Sequence, residues 1–207
     1  SINFKYIVFL NYKYKYIYMK EVTSILFVIV LAMTGINYYI KNKDVVIVES
    51  TIDNRKYRIA DAPDKLDVAN LLGEINRDIL KLIDHLKSKD DENVKRLCKR
   101  YNPDRLGENV EYKSYKAYSV NKGEEIVLCV RDENGKLIRD KNTMKFVLIH
   151  ELAHVMTVEN GHPPEFWKNM GYLLKEANMV GVYEAIDYSK NPVNYCGTLV
   201  DKTPYPF

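Results

Sequence analysis

Two histidines four residues apart, His150 and His154, with Glu151 directly after the first, stand in the run NTMKFVLIHELAHVMT. Residues at i and i+4 share one helical face, so both imidazoles can reach a single ion, while Glu151 lies about 100° round the axis, near a water on that ion. The run is amphipathic, with Leu148, Leu152 and Val155 on one stripe and a polar start at Asn142 and Thr143. Three protein ligands leave the fourth position of zinc open, so the chemistry needs one more donor close by. His162 is placed to supply it, eight residues after His154 and just past Asn160-Gly161, where the helix is expected to end. Glu159 and Glu165 are fallback donors, and imidazole is the softer match to zinc. The chain holds four histidines and three of them fall within thirteen residues, which weighs against a chance pattern.

Such a set suits hydrolysis of a peptide bond, with one Zn2+ per chain activating a water and Glu151 as the general base that then protonates the leaving amine. The partner is then a polypeptide, and an extended substrate could pair with an exposed strand edge, for which residues 124 to 131 are the candidate. No residue announces itself as an oxyanion stabiliser. The phenol of Tyr195 could serve if the tail folds back over the site, but with seventeen tyrosines in the chain packing is the favoured reading. Cys196 is read as an inert buried thiol rather than a ligand. His85, among the charges of an earlier helix, reads as a solvated or capping side chain.

The elements that must position these groups are legible in outline as an α+β domain. Residues 44 to 51 and 55 to 60 read as two strands joined by a tight turn at Ile52, Asp53 and Asn54. After Asp61-Ala62-Pro63, apolar Ala69, Leu72, Ile75, Ile79, Leu82, Ile83 and Leu86 recur at helical spacing. A shorter helix over 91 to 101 stops before Asn102-Pro103, because a residue preceding proline disfavours helix. Residues 110 to 120 and 124 to 131 read as strands around Asn121-Lys122-Gly123, completing a small antiparallel sheet. Pro163 and Pro164 open a last helix with the apolar face Phe166, Met170, Leu173, Leu174 and Ala177, so His162 stands at a corner between two helices.

Nineteen uncharged residues, 22 to 40, lie between Lys20-Glu21 and Lys41. As a helix they span about 28 Å, close to a hydrocarbon core of roughly 30 Å, and Tyr38 and Tyr39 suit an interfacial belt. A membrane anchor is expected in preference to a cleaved signal peptide. The chain opens with Ser1 and a monotonous run of Lys, Tyr, Ile, Phe and Asn, which suggests Met19 as the true start. The division is therefore an arm over 1 to 21, an anchor over 22 to 40, a metallopeptidase domain over 44 to 200 and a tail over 201 to 207.

The net charge of +3 belongs to the N-terminal part, since six lysines and one acid in residues 1 to 43 leave 25 bases against 27 acids in the rest. The globular part has no positive excess to drive nucleic-acid binding. Three cysteines without CxxC spacing, Cys98, Cys129 and Cys196, and the lack of an N-x-S/T sequon point to a reducing compartment, with the domain on the cytosolic or an equivalent side.

The segment HELAHVMTVENGHPPEFW resembles the zinc metallopeptidases of the WLM and SprT-like group. That resemblance implies a zincin-like domain with His150, His154 and His162 as zinc ligands and Glu151 as catalytic base. From about Tyr57 to Gly197 the chain is similar to membrane-anchored metallopeptidases predicted in nucleocytoplasmic large DNA viruses, through YRIADAPDKLDVANLL, YSVNKGEEIVLC, the zinc segment and NPVNYCG. This implies a viral or virion-membrane protein. Some WLM-type enzymes trim proteins crosslinked to DNA, a role the charge balance argues against. A different class, a structural virion membrane protein in which zinc only locks the fold, stands as the alternative. An acid between the ligands and three rather than four protein donors favour catalysis over it.

Overall fold

The computed structural model describes residues 2–110 and 117–207, with side chains described outside residues 2–17, 40 and 41. Two compact units divide at Asp44 and Val45. The first is one helix, α1 (Ile2–Asn42). Within it Tyr18–Tyr39, 22 residues with none of that stretch buried, is long and apolar enough to cross a membrane.

The second unit begins with β1 (Val45–Glu49) and β2 (Lys56–Ala60), paired antiparallel as expected. The turn between them closes through Ser50 N–H to the Arg55 carbonyl, with Asn54 in the left-handed region at φ 57°. Next comes α2 (Lys65–Leu86), whose seven predicted apolar positions are all buried. Full burial of each Leu or Ile is worth roughly 1.5–3 kcal/mol, so this stripe anchors the core. Then α3 (Glu92–Arg100) starts at Asp91, whose carboxylate accepts from the N–H groups of Asn93 and Val94, and it stops before the proline as expected.

The strand β3 (Leu106–Glu108) was not foreseen, and it changes the sheet. The order is β1-β2-β3-β5-β4, where β4 is Ala117–Val120 and β5 is Glu125–Leu128. β2 with β3 and β3 with β5 pair parallel, so the sheet is mixed rather than antiparallel. The cause is topological: the chain leaves β2, crosses through α2 and α3, and returns in the same direction. Gly107 allows the close approach of β3, since a Cβ there would lie 3.0 Å from the Arg58 carbonyl oxygen. β5 is consequently an interior strand, so the edge expected at 124–131 is not one, and among the described residues β4 is the strand paired with β5 alone. Of the strand expected over 110–120, residues 117–120 are strand, and 111–116 lie outside the described residues.

Two helices follow, α4 (Lys141–Met156) and α5 (Pro164–Met179). α4 is capped by the Asp140 carboxylate, which accepts from the Asn142 and Thr143 N–H groups. It ends four residues before the expected Asn160. Thr157 turns extended there, with its hydroxyl donating to the Ala153 carbonyl at 2.8 Å. α5 begins at Pro164 and buries all five apolar residues of its predicted face.

Beyond α5, β6 (Val193–Tyr195) and β7 (Thr198–Val200) form a separate hairpin. Its two-residue turn places both Cys196 and Gly197 at positive φ, 51° and 73°, the twist that suits a tight hairpin. Cys196 is disulfide-bonded to Cys129, leaving Cys98 the free cysteine. The expectation of three thiols is thus corrected, and with it goes the ground for inferring a reducing compartment.

Candidate metal centre

α4 carries His150 and His154 one turn apart, and the loop from Thr157 to Pro163 returns His162 to the same place. One ligand nitrogen from each of the three lies within 4.8 Å of the others. His150 Nε2 and His162 Nε2 are 3.2 Å apart. Two nitrogens about 2.0–2.1 Å from a tetrahedral zinc stand roughly 3.3 Å apart, so the His150–His162 pair matches that spacing and three imidazoles match the ion's donor chemistry. Burial, aided by the neighbouring imidazoles, lowers His150 to about 3. Burial also lowers His154 to about 4, helped by His162 and Lys122. Both rings are therefore neutral at pH 7, as ligands must be.

Glu151 lies on the same helix, 6% exposed, and lines one cavity with all three histidines. Burial pushes its carboxyl up to about 7, against hydrogen bonds from the hydroxyl and backbone of Ser119. Ser119 belongs to β4, so the sheet edge touches the acid directly. The shared cavity, about 400 Å³, runs from Ala117, Tyr118 and Ser119 across the histidines to the 159–162 loop.

The loop that delivers His162 is held by residues that sequence reasoning missed. Arg96, from α3, donates to the Met156 carbonyl at 2.7 Å. Lys122 Nζ donates to the carbonyls of Thr157 and Glu159 at 2.9 and 3.0 Å, and to that of Val158 between them. Asn169 Nδ2 donates to the Thr157 hydroxyl at 2.9 Å. None of these belongs to a spacing pattern; the only signal was Lys122 in a tight turn before a glycine. Phe166 was foreseen only as core, yet its ring centre lies 4.9, 4.4 and 4.6 Å from those of His150, His154 and His162.

Other candidates fall elsewhere. Tyr195 is buried with its hydroxyl donating to the Cys129 carbonyl, so it packs and is not directed at the histidines. Glu165 accepts from Asn93 Nδ2 at 2.9 Å, and Glu159 lines the cavity without joining the histidine cluster. His85 is neither solvated nor a cap: its Nε2 meets the buried Glu176 carboxylate at 2.5 Å, tying α2 to α5.

The WLM domain model matches residues 58–191, a span that contains the three histidines and Glu151. An uncharacterized protein of Acanthamoeba polyphaga mimivirus is 30% identical over 187 residues, covering 84% of this chain and 93% of that one. A second, from Invertebrate iridescent virus 3, is 40% identical over 82 residues, 39% of this chain and 48% of the relative, so the match spans about half its length. Among solved structures, Wss1 from Saccharomyces cerevisiae is similar with a TM-score of 0.45 and 21% identity, covering 57% of this chain and 83% of that one. The family match over most of the second unit, and a viral relative aligned along nearly its full length, show that this chain belongs to the WLM domain family and is similar to proteins of large DNA viruses.

Proposed function

We propose that the chain is a membrane-anchored, zinc-dependent endopeptidase. Family membership supports the coarse activity, a protease-like hydrolase acting on polypeptides. The observation that carries the finer reading is the convergence of three histidine nitrogens within 4.8 Å beside a buried glutamate that faces the same cavity. His150, His154 and His162 would hold the ion. A zinc ion there supplies Lewis acidity, polarising a peptide carbonyl and making water a nucleophile near neutral pH.

The chain's own residues do the rest. β4, paired on one side only, offers its other edge to an extended peptide beside the histidines. Glu151 accepts the proton of the attacking water and returns it to the departing amine, a task suited to a carboxyl poised near 7. Ser119 holds that carboxyl at the sheet edge where the substrate backbone would lie. The domain responsible is residues 44–200, residues 22–40 anchor it, 1–21 form an arm and 201–207 a tail.

The test is digestion of an unfolded protein by the zinc-loaded full chain, set against Glu151→Gln at equal metal content. Cleavage by the wild type and its loss in the variant support the reading. Equal zinc binding without cleavage by either moves the conclusion to a zinc site that only locks the fold.

A further inference from the structure

A second cavity, about 500 Å³, opens on the other side of His150. Phe146 on α4 and Trp167 and Met170 on α5 form one wall, and residues 199–204 form the other, with Leu199, Val200 and Pro204 as its apolar members beside Asp201, Lys202 and Thr203. His150 lines both this cavity and the one holding Glu151, so the two adjoin at a candidate metal ligand. The rim leaves two large apolar side chains in water, Trp167 at 46% and Leu199 at 60% exposure. The second wall lies beyond residue 191, where the family match stops.

That wall is fixed in place rather than draped. The hairpin of which Leu199 and Val200 are part is tied to the end of β5 by Cys196–Cys129. The tail then docks on α5, where Tyr205 Oη donates to Asn178 Oδ1 at 3.2 Å. Gly171 permits this docking, because a Cβ there would come within 2.7 Å of the Pro204 carbonyl oxygen.

We propose that the C-terminal segment 199–204 builds an apolar subsite that accepts a Leu, Met or Phe side chain of the polypeptide next to the bond being cut. The inference rests on the peptidase reading and adds the substrate class to it. Apolar pockets discriminate by area removed from water, so Leu is expected to be preferred over Ala at that position by roughly ten- to hundredfold.

The experiment uses the zinc-loaded full chain in phosphatidylcholine nanodiscs, with two readouts. Cleavage sites in a mixture of unfolded peptides are mapped by mass spectrometry. In parallel, emission of Trp167, the one tryptophan of the chain, is followed while a blocked hexapeptide carrying Leu, or its Ser counterpart, is added. The expected result is enrichment of Leu, Met or Phe at one position beside the cut and a Trp167 response to the Leu peptide alone. Both are expected to fall in Leu199→Ser, an exposed position with little bearing on folding. They are expected to fall also in Gly171→Ala, which favours helix while pushing the tail away. Cleavage without positional preference, or a preference unchanged in both variants, overturns the subsite. A Trp167 response to the Leu peptide without cleavage keeps the subsite and sinks the peptidase. Silence in both readouts sinks both.

Discussion

The phenyl ring of Phe166 lies 4.4 Å, centroid to centroid, from the imidazole of His154. The same ring is within 5 Å of His150 and His162 and is itself fully buried, so one side chain of α5 braces imidazoles from α4 and from the loop. Phe166→Ala is therefore expected to cost about 3–5 kcal/mol of stability, the usual range for emptying a buried aromatic site. It should also weaken zinc binding, because the imidazoles lose the surface that orients them. Phe166→Leu should recover most of the stability. Denaturant unfolding of the metal-free chain and chelator competition of the loaded one check the two effects separately.

Lys122 acts at the other end of the same loop. Its ammonium collects three consecutive carbonyls, 157 to 159, in the loop just past the end of α4. Replacing it by Met keeps the stem and removes the donors. The loop then loses its fixed path, and His162 its position. The expected result is a zinc affinity lower by about 10–100-fold, the usual scale for losing support behind a ligand, with the rest of the fold intact. Unchanged affinity would show that His162 is positioned by its ring contacts alone.

α5 was legible because an apolar stripe at 3.6-residue spacing and a proline at the first turn are local signals. α4 is a helix as expected but not the amphipathic one its stripe suggested, since Met144, Phe146, Ile149 and Ala153 are buried along with Leu148, Leu152 and Val155. The shared face of His150 and His154 was legible too, since i, i+4 spacing fixes it whatever surrounds it. β3 escaped because three residues, one of them Gly107, carry no alternation, and its partners lie far away in sequence. Missing it made β5 look like an edge and the sheet antiparallel. The Cys129–Cys196 bond spans 67 residues, so nothing local announces it. Arg96, Lys122 and Asn169 act on backbone carbonyls or a single hydroxyl, contacts that exist only once the chain has folded.

Arg131, 5% exposed, bridges Glu108, fully buried, and Asp64. Its Nε meets Glu108 at 2.8 Å and its Nη atoms hold both Asp64 oxygens at 2.6 and 2.7 Å. Arg131→Met leaves the Glu108 charge buried without its cation and is expected to cost about 3–5 kcal/mol. The hydrogen bonds from Arg131 hold the Asp64 carboxyl below the usual carboxylate range. Between its folded and unfolded values the unfolded chain binds more protons, so this contribution is present above pH about 4 and is lost as pH falls through the folded value. Asp64→Asn should flatten that part of the acid limb in an unfolding series against pH. An unchanged acid limb would place the acid sensitivity in other carboxylates.

The disulfide links the end of β5 to the hairpin that precedes the tail. A crosslink across 67 residues restricts the unfolded chain, and loop-closure entropy puts its contribution at about 4 kcal/mol. Cys129→Ala with Cys196→Ala should lower the unfolding midpoint accordingly. Zinc should still bind, because all three histidines sit on α4 and the α4–α5 loop, which the bond does not touch. The hairpin places Cys196 at a left-handed φ of 51°, a backbone cost that cysteine, alanine and serine share. The alanine pair, and serine at both positions, therefore report the missing crosslink with no added backbone cost. If the serine pair is as stable as the wild type, the thiols are not bonded in the folded protein. If it is less stable by the expected margin and retains zinc, the bond serves the hairpin and not the metal centre.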